Sequence, residues 1–432
     1  AALEPVPTSF RHWARELAEQ AGSEDRLTEV AQWVDFLQGP DPLLTTEPVD
    51  LERDLQKTMR ETSAHIPMAI TAELLTRVPT AFHAGIDDVL LAGLTAAVAE
   101  WRDSQSIGAG SALLVDLEGH GRVPLSDADD LSRTVGWFTS SHPVRLDVGS
   151  VDLSEVREGG PAAGRVLKRV KEQVRAVPGD GLGYGVLRYL NPDAAPELAA
   201  LPSAQIGFNY LGRFSVSAPA TPAKGAPAGW TPPRDGVPGD DVGGEFPVLH
   251  ALEVMGAVRD LPEGPELTLT LLWPEALFEE SSVRALVDGW AAMLGGLVTA
   301  SAEGGGHTPS DFPLVALDQA RIEGLEAEVP GLVDVLPVSP LQEGLLFHAL
   351  FDEQGTDVYV EQLDLGLEGP LDPVVLRASW QALLDRHASL RAGFRQLSGV
   401  DQPVQVVARE VVLPWREEDI SGLAVGEREA EA

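Results

Sequence analysis

The sequence predicts an α/β chain, with mixed sheets packed against helices and two units of unequal size. Three observations predict this. Apolar residues recur at spacings of three and four in several stretches, the period of an amphipathic helix. Short apolar or alternating runs bounded by glycine lie between them, as strands require. The run Gly304-Gly305-Gly306 opens a polar, proline-bearing stretch to about residue 333 that reads as a linker. The 432 residues allow two or three domains. With 67 acidic against 31 basic residues the net charge is −36, which repels phosphate backbones and anionic lipid and so excludes nucleic acid and membrane surfaces as partners. No cysteine is present. That removes disulfides, thiolate metal sites and a cysteine nucleophile, and fits a cytoplasmic setting. No apolar run reaches the length of a membrane span.

The elements follow in order. Phe10, Trp13 and Leu17, then Leu27, Val30, Val34 and Leu37, mark two helices that Pro40 and Pro42 end. A helix is expected over Asp87–Trp101, with Leu90, Leu91, Leu94 and Val98 on one stripe. Residues 112–116 form a short apolar run between Gly110 and Gly119 and read as a buried strand. A basic amphipathic helix is expected over Val166–Val177, stopped by Pro178, and a strand over Gln205–Tyr210. Residues 218–244 are dense in Pro, Gly and Ala and read as a long surface loop. Residues 252–258 and 267–273 alternate in character about Glu263-Gly264, the pattern of a hairpin, and Val283, Leu286, Trp290 and Leu294 mark a closing helix. Within the linker a helix is expected over 317–326. Beyond it come a helix over Leu341–Leu350, with Ser339-Pro340 and Glu343 placed as in a capping box, a strand over 359–367, a helix through Leu376, Trp380, Leu383 and Leu384, short strands over 404–407 and 410–413, and an acidic tail.

Several segments carry polar groups that chemistry could use. Gly179-Asp180-Gly181-Leu182-Gly183-Tyr184-Gly185 lacks the glycine spacing of a dinucleotide loop and reads as a flexible turn. No histidine pair has metal-ligand spacing, and His12, His65, His83, His250 and His307 are each read as hydrogen-bonded structural residues. No Gly-x-Ser-x-Gly elbow is present. In Glu118-Gly119-His120-Gly121-Arg122 an acid ends the strand and two glycines permit a close approach. Two readings stand for Glu118: a partly desolvated base with a raised pKa, and an ion pair with Arg122. Arg133–Thr139 and Phe208–Phe214 combine aromatics, glycine and polar groups, suited either to a pocket or to core packing.

Taken together and in this order, the segments 88–91, 118–122, 133–143, 178–185 and 208–214 resemble the epimerization domains of nonribosomal peptide synthetases. The resemblance covers about residues 1–302. Val123, His142, Arg213 and Ser215 depart from the family pattern, which has Glu, Tyr, Gln and Asp there. Residues 339–348 (SPLQEGLLFH) and 386–394 (RHASLRAGF) resemble the first two motifs of a condensation domain, in the Gln-Glu-Gly form of the subtype that accepts a D-configured donor. Both families center on a His-His-x-x-x-Asp-Gly motif, and no adjacent histidines occur here. The resemblance implies a segment of a larger synthetase: the larger C-terminal part of an epimerization domain over 1–302, a linker over 303–333, and the N-terminal part of a condensation domain over 334–432.

What it implies for fold is a pair of lobes like those of chloramphenicol acetyltransferase, with a tunnel between them. What it implies for function is L-to-D inversion at Cα of an aminoacyl or peptidyl thioester, carried on the phosphopantetheine arm of a carrier domain, in secondary-metabolite or antibiotic synthesis. No cofactor or metal is expected to bind directly. An upstream carrier domain and downstream condensation and adenylation modules are the expected partners. Glu118 would be one acid/base, and the histidine of the opposite face is missing from this chain, so the segment alone is expected to be inactive. Asn209 and Tyr210 would lie near the thioester, Tyr210 as a proton donor or enolate-orienting group. Trp137 would line the tunnel, and His120 would neighbor Glu118. Arg391 resembles a bracing residue and receives no catalytic role. Two other readings are a carrier-dependent acyltransferase and a non-catalytic docking module for carriers.

Overall fold

The computed structural model describes residues 5–39, 41–45, 47–107, 110–215, 244–351, 362–363, 365–400, 402–422 and 424. Its contacts divide the chain into a first unit to Gly306 and a second from His307.

In the first unit the elements are α1 (Phe10–Gln20), α2 (Glu24–Leu37), β1 (Met59–Ile66), α3 (Met68–Leu75), α4 (Arg77–Phe82), α5 (Ile86–Gln105), β2 (Ala112–Gly119), β3 (Ser140–Asp147), α6 (Leu153–Glu158), α7 (Pro161–Arg175), α8 (Leu182–Leu190), α9 (Ala195–Ala199), β4 (Ile206–Ser215), β5 (Leu252–Leu261), β6 (Gly264–Pro274) and α10 (Glu280–Glu303). The strands form one mixed sheet in the order β1-β6-β5-β4-β2-β3. β2 runs parallel to β4 and β4 parallel to β5, and the other neighbors are antiparallel.

One face of this sheet is apolar. Leu113 and Val115 of β2, Ile206 and Phe208 of β4, Leu252, Val254 and Val258 of β5, and Leu267, Leu269 and Leu271 of β6 are buried there with α5, α7 and α10. Successive strand residues point to opposite faces, so Leu114 of β2 lies on the other side, with Trp33 and Leu37 of α2, Leu187 of α8 and Leu198 of α9. The core helices are set by their ends. At α5 the Asp88 carboxylate accepts the Gly85 N–H at 2.7 Å and pairs with Arg175 at 2.8 Å, a cap that satisfies an otherwise orphaned donor. Trp290 of α10 is fully buried and donates its indole N–H to the Leu90 carbonyl at 3.0 Å. α10 is the one described helix that alone is long and apolar enough to cross a membrane, a length not expected from the sequence, and most of it is buried inside the unit.

The second unit contains α11 (Gln319–Glu328), β7 (Leu332–Pro337), α12 (Pro340–Phe351), α13 (Pro373–Arg386), β8 (Ala392–Arg395) and β9 (Val404–Ala408). Its antiparallel sheet has the order β7-β9-β8. Phe312, Leu317, Ile322 and Leu325 are buried with Leu332, Val335, Val404 and Val406. Much of the stretch expected as linker is therefore folded against this sheet, because its patchy apolar residues converge on one small core. The cap of α12 is reciprocal, as expected, but its partner is Gln342 rather than Glu343: Gln342 donates its N–H to Ser339 Oγ at 3.2 Å and accepts the Ser339 N–H at 2.8 Å. The strand expected over 410–413 is irregular, since the Gln381 side chain takes up the Val411 carbonyl and the Leu413 N–H, both at 2.9 Å. Residues 362–363 and 365–367 are irregular too. The remainder of the strand expected over 359–367, and the expected loop except Gly244, lie outside the described residues. Arg391 donates to the carbonyls of Asp385 at 2.7 Å and Ala408 at 3.0 Å, bracing α13 against β9.

Trp290 carries both packing and a buried hydrogen bond in the first unit. Trp290→Ala is expected to destabilize that unit by about 3–5 kcal/mol, read as a lower urea midpoint with unchanged secondary structure in the native baseline.

Candidate functional site

Parallel pairing of β2 and β4 sets Asp116 beside Gly207 and Glu118 beside Asn209, and β4–β5 pairing sets Gly207 beside Glu253. By strand alternation these positions share the face of Leu114, opposite the helix-covered core. The covering cluster around Leu114 ends short of Glu118, which is exposed. The Asn209 amide donates to Glu118 Oε2 at 2.7 Å. Partial burial raises the Glu118 carboxyl above its ordinary value, the Asn209 hydrogen bond opposes this, the nearby Glu253 raises it further and His250 opposes.

Next to this pair lies a group that the sequence did not bring out. His250 sits just ahead of β5 with its side chain 13% exposed. Its Nε2 lies 2.9 Å from Asp116 Oδ2 and its Nδ1 2.8 Å from Glu253 Oε1. Burial disfavors the imidazolium, but the hydrogen bonds and charges of Asp116 and Glu253 outweigh it and push His250 up to about 9. A Cβ at Gly207 would fall 2.3 Å from Glu253 Oε2 and 2.6 Å from His250 Nδ1, so only glycine leaves room for this contact. His250, expected to be structural, thus joins the site. Its partners lie on strands far apart in sequence, and no local motif signals them.

The other expected residues divide. Tyr210 is one step along β4 from Asn209, which puts it on the opposite, helix-covered face. There it packs on the main core, and a Cβ at Gly256 would touch its ring at 3.4 Å. Burial, then the charge of Asp87, raises its hydroxyl, with Arg213 opposing. The structure does not bring Tyr210 against Glu118. Trp137 is 81% exposed and does not line the cleft described below. His120 is exposed and accepts the Arg122 N–H at 3.1 Å, bracing its own loop. The alternative Glu118–Arg122 ion pair does not form. Arg122 donates to the carbonyls of Thr134 at 2.8 Å and Leu131 at 3.0 Å and stacks 4.5 Å over the Phe138 ring. Gly121 has φ +61°, and a Cβ there would overlap the Phe138 carbonyl, so this glycine permits the close approach of the two segments. The glycine run expected as a flexible turn is a turn over residues 179–181 and then opens α8, where Asp180 accepts the Leu182 N–H at 3.0 Å and pairs with Arg26 at 2.9 Å.

A cleft of about 290 Å³ adjoins Asp116, walled by Trp13, Phe138 and Leu182 and carrying the hydroxyl groups of Ser140, Ser141 and Tyr184. His142 borders this region. Its Nδ1 is buried without a hydrogen-bond partner, and burial lowers its pKa, with Asp116 and Asp180 opposing.

Comparison with known proteins follows the same segments. The model of a family described as Condensation domain matches residues 2–303 and 333–432. The chain is 34% identical over 430 residues to a linear gramicidin synthase of Brevibacillus parabrevis, covering 98% of this chain and 5% of that protein. With the chondramide synthase of Chondromyces crocatus the identity is 31% over 467 residues, covering 96% and 11%. With bacitracin synthase 1 of Bacillus licheniformis it is 29% over 418 residues, covering 96% and 7%. The chain thus spans only a small part of these relatives. Among solved structures, the epimerization domain from the third module of tyrocidine synthetase B aligns with a TM-score of 0.57 and 29% identity, over 70% of this chain and 62% of that one.

The His250 contacts make stability depend on pH. Its folded value of about 9 lies above the ordinary 6.5, so their contribution is complete below 6.5 and is lost as pH rises through 9. The urea midpoint of the first unit is expected to fall across that window, and His250→Gln is expected to flatten the fall.

Proposed function

The chain belongs to the condensation domain family, and from that premise we propose that it is a piece of a modular nonribosomal peptide synthetase that inverts Cα of a carrier-bound thioester. In this reading residues 1–302 belong to an epimerization domain and residues 334–432 begin a condensation domain that accepts a D-configured donor. Support for two pieces comes from the family match, which stops at 303 and resumes at 333, and from the division of contacts at Gly306. Support for epimerization comes from the likeness to the tyrocidine synthetase epimerization domain, at 29% identity.

The observation that carries the reading is the Glu118–Asn209 pair, a carboxylate with a raised pKa oriented by an amide on an accessible sheet face. A thioester acidifies its Cα proton because the enolate spreads charge onto oxygen. Glu118 takes that proton as the C–H electron pair moves into the enolate, and a second acid/base returns a proton to the opposite face. By resemblance, that second group belongs to the His-His-x-x-x-Asp-Gly motif, which this chain does not contain. Asn209 holds one Glu118 oxygen, leaving the other for the proton. The cleft beside Asp116 has apolar walls and hydroxyls, a chemistry that suits the amides and methyl groups of a phosphopantetheine arm, and Ser140, Ser141 and Tyr184 would hold it. An acyltransferase reading of the first unit gives the Glu118–Asn209 pair no task.

In a synthetase containing this segment, Glu118→Gln is expected to reduce deuterium exchange at Cα of the carrier-bound aminoacyl thioester by about 10²–10⁴-fold. The measurement is mass spectrometry of the carrier-bound substrate in D₂O. Unchanged exchange removes Glu118 from the mechanism.

A further inference from the structure

We propose that His250 is a positioning residue for Glu118, its imidazole clasping Asp116 of β2 to Glu253 of β5 across the gap left by Gly207. The proposal rests on the epimerization reading for its consequence but on separate geometry for its existence. Both ring nitrogens lie within 2.9 Å of carboxylate oxygens. A neutral imidazole has one N–H and one lone pair, so the second contact would set a lone pair against a carboxylate. Two carboxylate contacts at these distances therefore define an imidazolium, in keeping with its raised pKa.

The charges explain why a cation belongs there. Asp116 and Glu118 from β2 and Glu253 from β5 meet on one face, while β4 contributes the uncharged Gly207 and Asn209. The other titratable groups acting on Asp116 are His142 of β3 and Tyr184 of α8. His142 is held toward its neutral form by burial, so His250 is the cation that offsets the three acids. Without it, Glu118 sits beside uncompensated negative charge, its carboxyl rises further, and it is protonated over more of the working pH range. A protonated Glu118 cannot accept the Cα proton. The Gly207 gap ties this electrostatic role to backbone geometry, because a methyl group there would displace His250 and Glu253 together.

The test has two arms. In the synthetase, His250→Gln is expected to shift the acidic limb of the exchange–pH profile upward, with activity recovering at higher pH. A uniform loss at every pH, or an unchanged profile, overturns the proposal. In the 432-residue chain, NMR of the histidine rings is expected to show the His250 imidazole doubly protonated near neutral pH, its signal absent in His250→Gln and titrating lower in Gly207→Ala. A neutral His250 near neutral pH overturns the proposal even if the glutamine variant fails to fold. Absence of exchange in the wild-type synthetase would count against epimerization while leaving the NMR result to decide the clasp.

Discussion

Residues Val115–Glu118 pair in parallel with Ile206–Asn209, and the placement of the polar groups at the candidate site follows from that register. Parallel neighbors share a face residue by residue, so Val115 and Leu117 go to the core with Ile206 and Phe208, while Asp116 and Glu118 go to the other side with Gly207 and Asn209. A slip of one residue would bury both acids against α5 and α10, at a cost the core could not offset. The apolar alternation of β2 and β4 therefore fixes the register, and the register delivers Glu118 to Asn209.

The two faces do different physical work. One is closed by α5, α7 and α10, whose apolar residues pack directly on the strands. On the other, among the described residues, a buried cluster gathers around Leu114. Toward the end of β2 the cluster stops, and Glu118 lies where solvent can reach it. Partial burial there raises the Glu118 carboxyl without removing it from reach, the compromise a proton-transferring group needs. The negative charge this concentrates is countered locally by His250, whose two carboxylate partners lie on strands separated by β4.

Much of this was legible in the sequence. The β5–β6 hairpin showed itself by alternation about Glu263-Gly264, and α5, α7 and α10 by their periodicity. In the first unit the strands that went unread, β1 and β3, are the two edges of its sheet, and in the second unit the unread β7 and β8 are the edges of the smaller one. Met59–Ile66 carries Arg60, Glu61, Ser63 and His65, and Ser140–Asp147 carries Pro143, as edge strands tolerate and central ones do not. Motif resemblance singled out Glu118 and Asn209, which the structure joins. The same resemblance nominated Tyr210 and Trp137; Tyr210, one step along β4 from Asn209, faces the helix-covered side, and Trp137 is exposed. The role of His250 could not be read locally, because its contact with Asp116 spans 134 residues and the clasp depends on a glycine whose meaning emerges only once β4 is paired.

The account turns on Glu118 being a carboxyl shifted upward by its surroundings and steadied by Asn209. Titration of that carboxyl by carbon NMR, assigned through its loss in Glu118→Gln, tests this most directly. The account predicts a midpoint above the ordinary 4.5, rising further in Asn209→Ala because the amide favors the ionized form. A midpoint at or below 4.5, or one that falls when Asn209 is removed, would contradict it.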